Sequence, residues 1–332
     1  MKTVTGAITH FLVGHGILPV ALLAAIVGFG LAEPRFLGYE NLFNIARNAS
    51  YLVIICIGQM ITLLVRGIDM SVGSTVALVS VVTALAGSAV LAADPGAVPL
   101  AIAAALLAGL AAGALTGLAN GIGVAIFNVS PFIMTVGMLS VLSGIALTIS
   151  GGMPVYGLPD AFGRFFAYAA PFGLPVPMLF ALGLCLVMAY VLYHTPLGVR
   201  IYAVGGNRVA SHLAGINTRL TLVLAYVLCS TIVGFGAVLL TARVATGEAT
   251  LGGTLVLESI TAVVIAGVSF FGGIGRLSHA ALGAVFVTMM TNGMNLLRVD
   301  SYVQQIVLGL LLILAVIIDQ IRGRLLQQQI PE

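Results

Sequence analysis

The chain has 332 residues, of which 60% are apolar and only 7% charged, where an ordinary soluble domain is roughly a quarter charged. No single soluble core could hide that much hydrocarbon, so the composition excludes a soluble globular protein and predicts an all-α polytopic membrane protein. The net charge of +3 gives no ground for a nucleic-acid partner and matters only through where the arginines flank the membrane segments, with lipid as the surrounding medium.

A span takes about 20 mostly apolar residues, and hydropathy predicts about ten. The first lies near 12–32. Lys2 ahead of the apolar stretch 17–32 has the outline of a secretory signal, but the stretch is long enough to span and no small-x-small cleavage site follows it. The second and third spans, near 50–65 and 70–92, are separated by Arg66, Gly67, Ile68 and Asp69. A charge of each sign between two apolar segments is costly in lipid, so two readings stay open: a surface turn with Asp69 capping the third span, or a gating element. The fourth span, near 98–118, carries Gly109, Gly113, Gly117 and Gly121 at four-residue spacing. That ridge predicts a close helix contact.

The fifth and sixth spans, near 131–150 and 175–194, flank a loop of residues 151–174. The longest polar connection, 195–219, follows with Arg200, Arg208 and Arg219. The last four spans fall near 220–241, 258–272, 279–297 and 303–320, with Glu248 in the break between the seventh and eighth. An even number puts both termini on one side, and Lys2, the arginines of 195–219, Arg322 and Arg324 mark that side as cytoplasmic. Gln59, Asn120 and Asn292 are amides within or at the ends of spans. Amides donate and accept without the desolvation cost of a charge, which suits a pore for polyhydroxyl solutes and suits helix-to-helix bonding equally well.

An internal repeat is visible without gaps: residues 69–80, DMSVGSTVALVS, align on 248–259, EATLGGTLVLES. Gly73 meets Gly252, Leu78 meets Leu257 and Ser80 meets Ser259, with Asp69 opposite Glu248. Farther on, Asn120 and Gly121 align on Asn292 and Gly293. The predicted topology puts Asp69 and Glu248 at opposite faces, so the halves, about 50–150 and 220–320 of a single transmembrane domain, are expected to be inverted repeats, an architecture of transporters.

Other chemistry is missing. There is no phosphate-binding G-x-x-x-x-G-K-S/T loop, His10, His15, His194, His212 and His279 show no metal spacing, and Cys56, Cys185 and Cys229 sit far apart in apolar runs. Neither an enzyme nor a chain with its own cofactor or metal is expected.

Several segments resemble the permease family of bacterial ribose-type monosaccharide ABC importers, distantly related to the branched-chain amino-acid permeases. They are RGIDMSVGS at 66–74, SPFIMTVGM at 130–138, AVGGNRVASHLAGI at 203–216, GEATLGG at 247–253, FFGGIGR at 270–276 and TNGMNLLRVDSYVQQIVLGLLLILAV at 291–316. Arg66 stands where the resemblance leads one to expect a glycine. The resemblance implies a permease of the bacterial inner membrane, paired with a second copy or a sister permease. Cytoplasmic ATPases holding ATP and Mg would drive it, and a periplasmic sugar-binding protein would deliver the solute. It gives 195–219 the role of a coupling loop whose short helix docks on the ATPase through Gly205, Asn207, Arg208, Ala210 and Gly215, small Ala210 and Gly215 permitting close approach. Gln59, Asp69, Asn120, Glu248 and Asn292 are the candidates for translocation or gating. The alternatives are an ABC permease for autoinducer-2 or branched-chain amino acids, and a stand-alone carrier or channel.

Overall fold

A computed structural model describes residues 18–327, with side chains described to residue 320. Among the described residues, seven helices are long and apolar enough to cross a membrane. They are α2 (Tyr39–Leu64), α3 (Val72–Ala93), α4 (Val98–Ala125), α5 (Pro131–Ser150), α6 (Val176–His194), α9 (Thr218–Val244) and α12 (Ser301–Gln327), the last through its stretch Ser301–Gln320. Shorter or less apolar are α1 (Leu18–Ala32), α10 (Leu255–Ile265) and α11 (Leu277–Leu296), while α7 (Pro196–Gly206) and α8 (Arg208–Leu213) occupy the predicted polar connection. Lys2 and residues 12–17 of the predicted first span lie outside the described residues, as do the side chains of Arg322 and Arg324.

Each predicted span meets a helix, but the bounds differ where polar residues ride inside helices. The second span begins at Tyr39 rather than residue 50, which carries Arg47 into α2. There its guanidinium lies 5.8 Å from the ring centroids of Phe43 and Tyr168. The predicted eighth span, 258–272, is instead an 11-residue helix, α10, followed by irregular backbone. Eleven residues rise only about 16 Å, half the hydrocarbon thickness. Non-helical backbone after it is tolerable because protein covers it: Val268 is fully buried and Ser269 nearly so.

Burial follows the logic of a bilayer. The least apolar of the seven crossing helices, α2, is the most buried, 89% of its window against 17% for α5 and α12. Lipid solvates leucine well and amides badly, so a helix carrying Asn48, Gln59 and Thr62 moves inward while Ile133, Leu147, Ile313 and Ile317 face out. α2 packs on α9, and the two run antiparallel: a methyl on Gly58 would lie 2.8 Å from the Cys229 carbonyl, and one on Gly236 3.2 Å from Ile54. The glycine ridge of α4 does make the close contact expected of it, with α9 as the partner. A methyl on Gly113 would come within 2.6 Å of the Ser230 carbonyl, one on Gly121 within 2.9 Å of Val223 Cα, and one on Gly117 would collide with the Tyr226 carbonyl.

α4 packs against α9 as α11 packs against α2. Likewise α3 touches α4, α5 and α9, while α10 touches α11, α12 and α2. Where the two segments that break the helices meet, Gly73 and Gly252 face each other reciprocally, a methyl on either lying 2.6 Å from the carbonyl of the other.

Candidate functional site

A buried polar seam runs between α2, α4 and α9. After α2 ends at Leu64 the chain turns through Arg66, which holds φ 62°, and drops non-helically to α3. Asp69 on this segment is fully buried. One carboxylate oxygen accepts from the Ser71 backbone N–H (2.8 Å) and the Ser71 hydroxyl (2.5 Å), and the other accepts a longer contact from the Cys229 thiol (3.9 Å). Burial pushes the Asp69 carboxyl above the usual carboxylate range, and the two Ser71 hydrogen bonds oppose that shift. Asn120 closes the seam from α4 by donating to the Ser71 hydroxyl (2.9 Å).

Several polar atoms here have no partner among the described residues: both amide atoms of Gln59, Asn120 Oδ1, the Tyr226 phenol and the Ser230 hydroxyl. The backbone fits closely around them, since a methyl on Gly67 would lie 2.5 Å from the Tyr226 hydroxyl. Of the sequence candidates, Asp69 and Asn120 are thus joined through Ser71, and Gln59 lies on α2 one residue past Gly58, which abuts Cys229. Tyr226, Cys229 and Ser230 were missed, because on an apolar helix nothing in their spacing separates them from packing residues.

Glu248 and Asn292 lie elsewhere. Asp69 follows α2 and folds back to touch Cys229 midway along α9, whereas Glu248 follows the far end of the antiparallel α9 and meets Ser80 within α3. Its carboxylate accepts from the Thr246 hydroxyl (3.1 Å) and its backbone N–H donates to the Ser80 hydroxyl (3.1 Å). Gly247 pairs there with Val155 of the 151–174 loop through two 2.9 Å backbone bonds. Asn292 exchanges two 3.0 Å bonds with Asn41, bridging α11 to α2.

The predicted coupling loop is two short helices beside the end of α2 at Leu64 and Arg66. Asn207 caps α8 by accepting from the Ala210 N–H (3.0 Å), and Gly215 leaves it at φ 81°. Ser211 turns inward, whereas Arg208, Ala210 and Gly215 are exposed, with Val209 70% and Leu213 82% exposed. A groove of about 770 Å³ lined by Arg208, His212 and Arg219 runs beside this helix. Gly205 belongs to the inner side of the loop: it is buried, and a methyl there would collide with the Leu64 carbonyl. Arg66 fastens the same point, its Nε donating to the Gly205 carbonyl and a terminal nitrogen to the Gly206 carbonyl, both at 2.6 Å. The Gly273 N–H donates to the Leu64 carbonyl (2.9 Å), which brings the 270–276 segment into the same junction.

A helical bundle with a polar seam inside it and an exposed short helix braced to one end of that seam defines a multi-pass membrane transport component. The chain belongs to the ribose-type sugar permease family, within the family described as the branched-chain amino acid transport system permease component, whose model matches residues 41–316. It is 37% identical over 317 residues to the ribose import permease of Escherichia coli K12, covering 90% of this chain and 92% of that one. It is 33% identical over 302 residues to a probable ABC transporter permease of Sinorhizobium fredii, covering 90% and 87%. The galactose/methyl galactoside import permease of Salmonella typhimurium is 32% identical over 319 residues, covering 93% and 94%. No solved structure matches the chain.

Proposed function

We propose that this chain is the inner-membrane permease subunit of an ATP-driven importer for a monosaccharide, a pentose, hexose or related polyol, handed over by a periplasmic binding protein. The observation that carries the mechanism is α8: a short, capped helix with Val209 and Leu213 facing outward, on a loop whose inner side is fixed to the seam through Gly205 and Arg66. An exposed apolar pair on a rigid mount suits docking in a groove of an ATPase that holds ATP and Mg, and the junction gives the stroke a route to Asp69. The relatives, permeases named for ribose and galactose import, support the sugar as cargo. The family description supports a second reading, a branched-chain amino acid as cargo.

In this reading α8 and both termini are cytoplasmic, the chain crosses about ten times when α1, α11 and α10 together with the covered irregular backbone after it are counted, and a second copy or sister permease completes the pore. The two halves are inverted repeats. Three features support that: the exchanged packing partners, the reciprocal Gly73 and Gly252 contact, and Arg66 and Ala245, which fall in register and both hold positive φ just past α2 and α9.

The test is co-purification. The tagged permease should retain a nucleotide-binding subunit, and V209S/L213S should lose it while staying monodisperse. Uptake by the permease reconstituted alone would instead establish a stand-alone carrier, and uptake of leucine but no sugar by the complete transporter would establish the amino-acid reading.

A further inference from the structure

A second polar region lies at the Glu248 end, away from α8. It is a cavity of about 200 Å³ between α2, α9, α10 and α11. In a chain with so little charge its lining is unusual: Asn48 and Tyr51 from α2, Arg243 from α9, Glu258 from α10, and Thr291 and Asn292 from α11. Two of these groups are unspent. Tyr51 is only 2% exposed and its hydroxyl has no partner among the described residues; the Thr291 hydroxyl likewise has none. Buried hydroxyls left this way are costly unless something in the cavity bonds them.

The charges narrow the chemistry. The Arg243 guanidinium donates to Asn48 Oδ1 and lies 5.6 Å over the Tyr51 ring centroid, so it is engaged with the wall. Arg243 and Glu258 oppose each other in sign, and the further cation near Tyr51, Arg47, is held by Asn44 and lies over the Phe43 and Tyr168 rings rather than lining the cavity. What remains are the free Tyr51 and Thr291 hydroxyls, beside Asn48 and Asn292 amides that keep only their second donor or acceptor positions, a set that can donate and accept in turn around a neutral ring carrying several hydroxyls. The volume, below the usual range for drug-sized ligands of about 300–1,000 Å³, suits a single small ring.

We propose that this cavity is a holding station for one neutral, hydroxyl-rich solute, entered from the end opposite the coupling loop, with Tyr51 and Thr291 bonding its hydroxyls. The station deepens the import function proposed above and rests on it for the identity of the cargo. Its place between α2 and the helices of the second half puts it where a shift of one half against the other would open or close it.

The test separates the station from the import function. Full-length permease in nanodiscs is probed by saturation-transfer NMR with D-ribose, D-allose, D-galactose and leucine, and the complete transporter is assayed for uptake of the same four. Saturable contact is expected for at least one sugar and not for leucine. Y51F and T291V, each removing a hydroxyl at nearly constant volume, should weaken that contact roughly fivefold. T291V should also abolish discrimination against one monodeoxy analogue of the bound sugar, a readout that mere loosening of the fold would not move. Absence of contact with any of the three sugars, preference for leucine, or unchanged binding in both variants overturns the station. If the transporter imports a sugar while the isolated permease contacts none, the station falls and the import function stands. If it imports no sugar, the import function falls, and the station is decided by the NMR result alone.

Discussion

Arg66 offers the sharpest perturbation, because the local backbone and the long-range contact pull in opposite directions. At φ 62° a non-glycine residue costs about 1 kcal/mol, which Arg66→Gly would recover. Against that, glycine loses about 0.5–1 kcal/mol through its freer unfolded chain. The variant also forfeits two charge-assisted bonds to the last carbonyls of α7. Discounted for the exposed end of the side chain, these contribute about 1 kcal/mol each. The global loss is then only about 1.5–2 kcal/mol, and the unfolding midpoint should move by a few degrees. The link between α7 and the segment leading to Asp69 loses about 2 kcal/mol, so the two should part roughly 30-fold more often. Reconstituted with its ATPase and binding protein, R66G should hydrolyse ATP normally or faster while moving several-fold less solute per ATP. Arg66→Lys, which keeps a charge but cannot reach both carbonyls with a fork, should fall between. Wild-type transport per ATP in R66G would refute the strut, and collapse of the fold would refute the strain argument.

Gly117→Ala should be destabilising by about 1–3 kcal/mol, since its methyl collides with the Tyr226 carbonyl. Gly137→Ala, where a methyl meets nothing within 4 Å, should be neutral or stabilising by up to about 1 kcal/mol. Thermal unfolding in detergent compares the pair, and equal midpoints would mean that α4 and α9 are not packed backbone to backbone. At Asp69, asparagine keeps an oxygen for the Ser71 N–H, whereas alanine leaves that N–H unpaired in a buried site at about 1–3 kcal/mol. Asp69→Asn should therefore unfold later than Asp69→Ala, and equal midpoints, both below wild type, would show that the carboxylate charge rather than an acceptor oxygen holds the turn. At Gly215 the space is open but φ is 81°, so backbone freedom is what the position requires. Gly215→Asn should keep ATPase affinity where Gly215→Val loses it; equal loss in both would return the explanation to side-chain bulk at the docking face, and wild-type affinity in both would refute any need for glycine there.

Much of this molecule is legible in one dimension because lipid is a simple solvent. Twenty apolar residues must become a helix there, so the helices could be located by hydropathy, and the glycines every fourth residue of α4 announced a close contact before any partner was known. The polarity of Asn207 and Arg208 in the longest basic connection likewise marked an exposed loop, which the structure folds into α7 and α8. The failures share one cause. Hydropathy registers how much hydrocarbon a stretch carries and not what covers its backbone, so 258–272 looked like a span although α10 is half of one, and α2 was clipped where Arg47 and Asn48 enter it.

Asp69 and Asn120 stood out in the sequence as polar residues out of place, yet only the fold joins them, through Ser71, which the repeat set opposite Thr250 without giving it a role. Tyr226 and Tyr51 are ordinary tyrosines in apolar helices until α9 and α2 are packed and their hydroxyls prove to be enclosed with no partner among the described residues. Sequence by itself determined the solvent, most of the helices, the family and the place of the polar connection, because each depends on composition and short-range spacing. The tertiary structure alone decided which polar groups meet, which glycines touch and where Arg66 reaches, because those contacts join residues tens to hundreds of positions apart and depend on how antiparallel helices are set against one another.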